Sequence, residues 1–230
     1  MMKKGTFIGV GTGPGDPDLM TLKAVKTIEA SNVVMFPVGD RESCRAYKTV
    51  CGACSGMEDK ECIFEPFPMK MERDELAAFH ERVADRVMDF LSEGKDVAFP
   101  VIGDPGVYST YDYIARIVKQ KGYETRRVSG IPSFIASAAR LDMSLGDDGR
   151  PIHIIPGSFD IDKALKLEGT VVFMKNGKNI AGLKEALERY EKEGGRTAGV
   201  YACSLPEEEI VRKACDIPDD WGYLNVLIAD

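Results

Sequence analysis

Short apolar runs alternate along the chain with amphipathic stretches, a pattern typical of buried strands and packed helices. The clearest helix covers DELAAFHERVADRVMDFLSEG, in which apolar residues recur at helical spacing. Asp74 is its expected N-cap and Gly94 its expected stop. The expected strands, in chain order, are GTFIGVG, NVVMFPV, DVAFPVI, IHIIP, TVVFM, TAGVYA and YLNVLIA. Strands that alternate with helices predict an α/β fold.

Both halves of the chain show this alternation, without a sequence repeat between them. Residues 39–62 have weak periodicity and predict a helix fragment with a loop. Glycines between Gly122 and Gly130 mark the expected boundary. We therefore expect two α/β domains, 1–121 and 122–230.

Composition and charge narrow the class of protein. A chain of 230 residues with 44% hydrophobic and 29% charged residues predicts a soluble globular protein with packed cores. No apolar run reaches the roughly 18 residues that span a bilayer, and glycine and aspartate interrupt the N-terminus before a signal sequence can form. We expect a cytoplasmic protein without a membrane partner. The net charge of −7 argues against a nucleic-acid surface, which would be basic.

Six cysteines form the least expected feature of the composition, and four of them, Cys44, Cys51, Cys54 and Cys62, fall in one segment. In a cytoplasmic protein they are expected to be thiols. The pair Cys51 and Cys54 has Cys-x-x-Cys spacing, but zinc sites of this type need a second tight pair, so we expect no metal. A cysteine-based metal or redox protein stays open as a different functional class.

Three strand ends carry glycine-rich turns. In GVGTGPGDP, Pro14 and Asp16 occupy the positions where a dinucleotide fingerprint needs its third glycine, and no Gly-Lys-Ser/Thr follows for a P-loop. The second turn, Gly103 to Gly106, ends a buried strand and places Asp104 and several hydroxyls at a helix start. The third, GIPSF, opens a helix rich in alanine and serine. Ligands of open α/β sheets bind at such strand ends, so these turns predict a binding cleft.

Together these stretches resemble the tetrapyrrole methylase family. The matching pieces follow the family order and cover nearly the whole chain: GVGTGPGDPDLMTLKAVKTIEASNVV, GDPGVYST, GIPSFIASAARL, VVFMK and YACSLPEEEIV. The resemblance implies two α/β domains with a cofactor cleft between them and S-adenosylmethionine as methyl donor. It departs at Ala202-Cys203, where family members usually carry Arg-Ala or Asn-Gly, and in the cysteine-rich segment.

The resemblance also implies which residues form the site. Main chain at Gly103, Asp104 and Pro105 would face the methionine part of the cofactor. The Pro14 loop would lie at the mouth, between cofactor and tetrapyrrole, with Pro14 as a cofactor-binding residue. The remaining cofactor-binding residues implied are Tyr108, Ser133, Phe134, Met174, Ala202 and Cys203. Asp104 is the candidate catalytic residue for charge stabilisation or proton handling, with shaping of the turn as the alternative role.

Within the family, the FPM segment and the YSTY phrase after GDP look most like the precorrin-2 C20-methyltransferases of cobalamin synthesis. The implied substrate is precorrin-2 or cobalt-factor II, with uroporphyrinogen III or a later corrin as the alternative. We also expect a homodimer. Because such a substrate carries many carboxylates, cations are expected near the cleft. The candidates are Lys70, Arg73, Arg140, Arg150 and Lys175.

Overall fold

The computed structural model describes residues 3–68 and 72–230. The chain divides into two units, Met1–Pro132 and Ser133–Asp230. Each unit contains a five-stranded sheet with helices, which confirms the two α/β domains expected from the sequence. None of the helices within the described residues is long and apolar enough to cross a membrane.

The first unit is built on a wholly parallel sheet. Its strands are β1 (Thr6–Gly11), β2 (Val33–Phe36), β3 (Glu61–Phe64), β4 (Val97–Val101) and β5 (Glu124–Val128). Its helices are α1 (Leu22–Ala30), α2 (Arg45–Ala53), α3 (Arg73–Ser92) and α4 (Tyr111–Gln120). The strands lie side by side in the order β3-β2-β4-β1-β5. All four pairings are parallel, so every strand presents its carboxyl end at one edge of the sheet.

Both faces of this sheet are covered, which explains the continuous apolar runs of its central strands. On one face, residues of α3 and α4, such as Val87 and Ile114, pack with Phe99 of β4. On the other face, Ile28 of α1 and Val50 of α2 pack with Phe36 of β2. Every residue of β2 and β4 is buried.

The longest helix, α3, begins slightly earlier than its sequence predicts. Glu72 is the N-cap, without a side-chain hydrogen bond, whereas Asp74 was expected there. Asp74 instead lies in the first turn, where a negative charge favours the positive end of the helix. Gly94 follows the C-cap with φ of 82°, which confirms the predicted stop.

The second unit carries a mixed sheet. Its strands are β6 (Ile152–Pro156), β7 (Thr170–Met174), β8 (Thr197–Tyr201), β9 (Glu209–Val211) and β10 (Asn225–Ala229). Its helices are α5 (Ser133–Leu141), α6 (Ile161–Ala164) and α7 (Ile180–Lys192). The order is β6-β7-β10-β8-β9, with β10 antiparallel to both of its neighbours. As a result β7 and β8 run in the same direction and end at the same edge.

The division between the units falls after Pro132, further along the chain than the expected boundary at residues 121 and 122. The physical reason is β5, which pairs along its length with β1, including Val10 with Val128. Three of its five residues are exposed, so it lacks the apolar run that marks the central strands. It nevertheless completes the first sheet.

Candidate functional site

In the first unit, the three glycine turns described from the sequence meet at the carboxyl edge of the sheet. Gly13 and Gly103 exchange main-chain hydrogen bonds, with N···O distances of 3.3 and 2.7 Å. A Cβ placed on Gly11 would lie 2.4 Å from the nitrogen of Gly130, and one on Gly130 would lie 2.2 Å from the carbonyl oxygen of Gly103. Because those neighbours are main-chain atoms, only glycine fits. The turns are therefore packed backbone against backbone at this edge.

Asp104 ties two of these turns together through its carboxylate. The main-chain N–H of Gly106 donates to Oδ1 at 2.6 Å, and that of Gly130 donates to Oδ2 at 3.0 Å. Both oxygens therefore accept from backbone at the ends of neighbouring segments. This arrangement supports the turn-shaping role, while a part in proton handling stays a prediction.

The Pro14 loop is buried and is held from the side by α2. Thr49 donates its hydroxyl to the carbonyl of Gly15 at 2.9 Å. Gly13 has φ of 73°, a conformation that suits glycine. Asp16 then caps the following short 3-10 turn by accepting from the N–H of Asp18 at 2.9 Å. The loop is thus a fixed structure at the edge of the sheet.

The hydroxyls after Gly103 serve different purposes. Tyr111 is fully buried under Gly9 and donates to the carbonyl of Arg126 at 2.8 Å, so it is a core residue. Ser109 accepts from the N–H of Tyr111 at the start of α4. Tyr108 is 45% exposed and has φ of 47°. Such backbone strain in a residue other than glycine concentrates at functional sites, which favours Tyr108 as a binding residue.

In the second unit, Met174 and the Ala202-Cys203 pair lie at the common edge where β7 and β8 end. Ala202 and Ser204 have φ of 47° and 65°, and Lys175, next to Met174, has φ of 63°. Left-handed backbone therefore flanks the predicted residues at both strand ends. As at Tyr108, the strain points to function rather than to stability.

Cys203 is buried in a small polar group. Burial raises the pKa of its thiol, and the hydroxyls of Ser204 and Ser137 oppose that shift. The Sγ of Cys203 lies 3.7 Å from Oγ of Ser204. The N–H of Ser204 donates at 2.7 Å to Glu208, whose pKa is lowered by its hydrogen bond with Arg140. Because burial outweighs the opposing hydroxyls and raises the pKa of the Cys203 thiol, the thiol is protonated near neutral pH.

Ser133 and Phe134 open α5 as predicted, and α5 packs against β8 and β10. This packing accounts for the small residues of the helix. Ser137 of α5 is fully buried, and its hydroxyl interacts with the thiol of Cys203. Within the described residues it is the one buried side-chain polar atom that makes no hydrogen bond of standard geometry, so it retains capacity to bond a ligand or water. A serine on an apolar helix face was its only signal in the sequence.

Sequence reasoning also missed a buried amide pair at the same edge of the second sheet. Asn176 donates to Oδ1 of Asn225 at 3.3 Å, and Asn225 donates to the carbonyl of Gly222 at 2.6 Å. Both side chains are almost fully buried. The signal available was an asparagine at the start of the apolar strand NVLIA.

The candidate cations differ in how they are used. Arg140 pairs with Glu208, with Nε 2.9 Å from Oε1, and Arg150 pairs with Asp230. Lys175 lies over the ring of Tyr223, 5.2 Å from its centroid. Arg73 begins α3, and Lys70 lies outside the described residues. Arg140 and Arg150 are therefore already engaged in ion pairs with carboxylates.

Across residues 3–68 and 72–230, no group of three or more His, Cys, Asp or Glu side chains is arranged to hold a metal ion. His80 is buried and stacks on Tyr113, with ring centroids 4.9 Å apart. All six cysteines are free thiols.

Comparison with known proteins decides the family. The profile of the tetrapyrrole (corrin/porphyrin) methylases matches residues 6–216. The chain belongs to this family. Among relatives of this methylase, a probable cobalt-precorrin-2 C(20)-methyltransferase from Methanocaldococcus jannaschii is 33% identical over 168 residues, which cover 73% of this chain and 70% of the relative. A precorrin-2 C(20)-methyltransferase from Sinorhizobium sp is 28% identical over 195 residues, covering 80% and 78%.

Solved structures of the same fold exist. The methylase resembles a uroporphyrin-III C-methyl transferase from Thermus thermophilus, solved in complex with S-adenosylhomocysteine, with a TM-score of 0.69 and 19% identity. The match covers 98% of this chain and 92% of that one. At this identity the likeness confirms the fold class.

S-adenosylmethionine, the donor that the family implies, fits the residues present. At Gly11 and Gly130 a Cβ would overlap the main chain of a neighbouring turn, so the turns pack backbone against backbone and present an edge without side chains to a ligand. The hydroxyl of Ser137, whose one polar neighbour is the weakly bonding thiol of Cys203, is a second polar group that a ligand can bond. The turns also lack both phosphate-binding patterns.

Proposed function

We propose that this methylase transfers a methyl group from S-adenosylmethionine to C20 of precorrin-2 or its cobalt-containing counterpart, cobalt-factor II, in cobalamin biosynthesis. The observation that carries the proposal is the glycine turn at Gly103, where the carboxylate of Asp104 holds main chain without side chains at the edge of the sheet. Relatives of this chain carry C20-methyltransferase names. Because relatives with both substrate names match, the proposal covers both forms of the substrate.

We propose that both units supply cofactor contacts. The first unit would contribute Gly103, Asp104, Pro105 and Tyr108, and the second would contribute Ser133, Phe134, Met174, Ala202 and Cys203. When bound, the cofactor supplies a methyl group already activated on a sulfonium. The chain has mainly to align that methyl group with the accepting carbon and to exclude water, which is where the fixed turns contribute.

The substrate side of the proposal rests on charge and position. The buried Pro14 loop borders the same edge as Gly103, and we propose that it contacts the tetrapyrrole. Carboxylates of the substrate would pair with Arg73, at the start of α3, and with Lys175, which directly follows β7. The net charge of −7 makes such local cations necessary for binding an anion.

We further propose that the protein is a cytoplasmic homodimer without a nucleic-acid partner. Light scattering of the purified protein tests the assembly. A homodimer has twice the chain mass of 25.3 kDa, and a solution mass equal to one chain would exclude it.

Thermal unfolding with added ligands tests the cofactor. A ligand that binds only the folded state stabilises it by about 2.7 kcal/mol at a hundredfold excess over its dissociation constant. For a chain of this size, that corresponds to roughly 2–4 °C per kcal/mol. We expect a clear rise of the melting temperature with S-adenosylhomocysteine and none with NAD or ATP. A shift with NAD or ATP alone would reject the proposal.

Turnover tests the substrate. We expect methylation of precorrin-2 or cobalt-factor II and little or none of uroporphyrinogen III under the same conditions, with the product position assigned by NMR. Equal turnover of uroporphyrinogen III would reject the C20 assignment and favour another tetrapyrrole methyltransferase of the same family.

A further inference from the structure

The loop between β8 and β9 is a closed hairpin with unfavourable backbone. Tyr201 at the end of β8 pairs with Glu209 at the start of β9, so residues 202–208 form the hairpin loop. Ala202 and Ser204 in this loop have φ of 47° and 65°. Such conformations are unfavourable for residues other than glycine and persist only where the surrounding structure holds them.

Glu208 lies at the base of this loop, and its side chain reaches back across it. Its Oε2 accepts from the main-chain N–H of Ser204 at 2.7 Å. Two main-chain bonds support the same shape: Leu205 donates to the carbonyl of Ala202 at 2.9 Å, and Glu208 donates to the carbonyl of Leu205 at 3.0 Å. The side chain of Glu208 is only 13% exposed. Its carboxylate therefore holds the left-handed residue Ser204 directly by the main chain.

The other oxygen of Glu208 is held by Arg140 of α5. Nε and Nη2 of Arg140 lie 2.9 and 2.5 Å from Oε1, so each oxygen of the carboxylate has its own partner. Arg140 stands in the last turn of α5, where a cation suits the negative end of the helix dipole. Arg212 donates to the carbonyl of Leu141 at 3.2 Å and fixes this helix end. Arg140 thus orients Glu208 from a fixed position.

A second contact joins the same face of α5 to the loop. Ser137 lies three residues before Arg140, and residues at this spacing are neighbours on a helix surface. The hydroxyl of Ser137 interacts with the thiol of Cys203, the buried residue between the two left-handed positions. Because α5 also begins with Ser133 and Phe134, this helix connects the predicted cofactor contacts at its start with those in the loop.

We propose that Glu208, oriented by Arg140, is a positioning residue that holds the loop 202–208 in the conformation that binds S-adenosylmethionine. The inference rests on the proposed function, which supplies the ligand. Glu208 acts through the main chain of Ser204 and so sets where the predicted contacts Ala202 and Cys203 lie. The expected consequence of its loss is a weaker cofactor affinity in a protein that stays folded.

Calorimetric titration with S-adenosylhomocysteine tests the role of Glu208. We expect Glu208→Ala to raise the dissociation constant by roughly tenfold or more, the factor that corresponds to loss of one hydrogen bond to a charged group. The titration is done where circular dichroism shows the variant to be folded. Arg140→Gln keeps the carboxylate without its cation and should give a smaller rise. Asp162→Ala, which breaks an exposed ion pair with Arg189 in the same unit, is the control and should bind as the parent does. An unchanged constant in Glu208→Ala would overturn the proposal.

Glycine at position 204 tests whether the loop backbone is the link. Glycine adopts the left-handed conformation without strain, whereas alanine does not. We expect Glu208→Ala to weaken binding several-fold less in a Ser204→Gly background than in a Ser204→Ala background, each compared with its own single variant. An equal effect in both backgrounds would overturn the positioning role. If Glu208→Ala does not fold, Arg140→Gln in the same two backgrounds provides the comparison.

Amide exchange of the ligand-free protein separates this proposal from the proposed function. We expect the amide of Ser204 to exchange with deuterium at least several-fold faster in Glu208→Ala than in the parent, because its acceptor is gone. Unchanged exchange would overturn the hold of Glu208 on the loop, whether or not the cofactor binds. A parent that binds no S-adenosylhomocysteine would reject the proposed function and with it the cofactor role of Glu208, while the exchange result would still decide its hold on the loop.

Discussion

Asp104 shows how one side chain can hold a binding turn in shape. Each of its oxygens accepts a main-chain hydrogen bond, one from Gly106 in its own turn and one from Gly130 in the neighbouring turn. Hydrogen bonds from backbone to a carboxylate are stronger than those between neutral groups, about 1.5–3 kcal/mol each. The position of Gly130 relative to Gly103 therefore depends on the charge as well as the shape of this residue.

Replacement of Asp104 by asparagine separates shaping from chemistry. An amide can accept on one side only and would present N–H to a main-chain N–H on the other. We expect a loss of about 1–3 kcal/mol in the free energy of unfolding, together with most of the S-adenosylhomocysteine shift. Asp112→Asn, which alters a surface pair with Arg127, is the control. A full ligand shift with lost turnover would assign Asp104 to the chemical step instead.

We expect protonation of His80 to lower the stability of the protein at low pH. It is buried on α3 against Tyr113, and burial lowers its pKa below the ordinary value of 6.5. As the pH falls below 6.5, the unfolded chain takes up a proton at this position before the folded chain does. Stability then falls with pH.

His80→Phe keeps a ring for the stack and cannot be protonated. Between pH 7 and pH 5, we expect the free energy of unfolding, measured with urea, to fall less in this variant than in the parent. The difference between the two is at most about 1.4 kcal/mol per pH unit. The chain has only one other histidine, His153 on β6, and His153→Gln is the control. Equal acid sensitivity of His80→Phe and the parent would show that His80 does not contribute.

Among the elements, α5 ends in a way that its sequence does not favour. Asp142 follows the last helical residue with φ of 53°, and Met143 N–H returns to the carbonyl of Ala138 at 2.9 Å. This is the left-handed helix end at which glycine is preferred. A carboxylate is also unfavourable there, because the helix dipole is negative at this end.

Asp142→Gly should therefore stabilise the protein. The residue is exposed, so no packing is lost, and we expect a gain of about 0.5–1 kcal/mol from relief of backbone strain and charge. Ala139→Gly, at an exposed position inside the same helix, should cost about 1 kcal/mol. Urea midpoints measure both changes. A loss of stability in Asp142→Gly would mean that its carboxylate makes a contact that offsets the strain.

Edge strands show where sequence patterns give little information about elements. The central strands β2 and β4 are wholly buried, so their apolar runs were read correctly. Two short strands at sheet edges, β3 and β9, were not predicted. Most of their residues are partly or fully exposed, so apolar runs do not mark them. Their place in the sheet depends on pairing with a neighbouring strand, β2 for β3 and β8 for β9.

At the scale of the whole molecule, the sequence predicted the two-unit α/β fold and the family. It also predicted the turns at Gly103 and Gly130, because glycine and proline are strong sequence signals for turns. It could not predict the left-handed conformation of Tyr108 or Ala202, since these residue types have no preference for it. The burial of the Ser137 hydroxyl beside the Cys203 thiol was likewise not predictable, because the hydrogen-bond partners of a polar atom depend on the folded surroundings.

Because the chain has a single tryptophan, its fluorescence reports on the second unit alone. Trp221 is buried, stacks on Tyr201 with ring centroids 5.6 Å apart, and donates to Glu209 at 3.0 Å. Tyr201 immediately precedes the strained Ala202 turn. Indole emission therefore originates from one known position beside a predicted cofactor contact. A stopped-flow fluorimeter can follow methyl-donor binding there in real time, without attaching a dye and without interference from a second emitter.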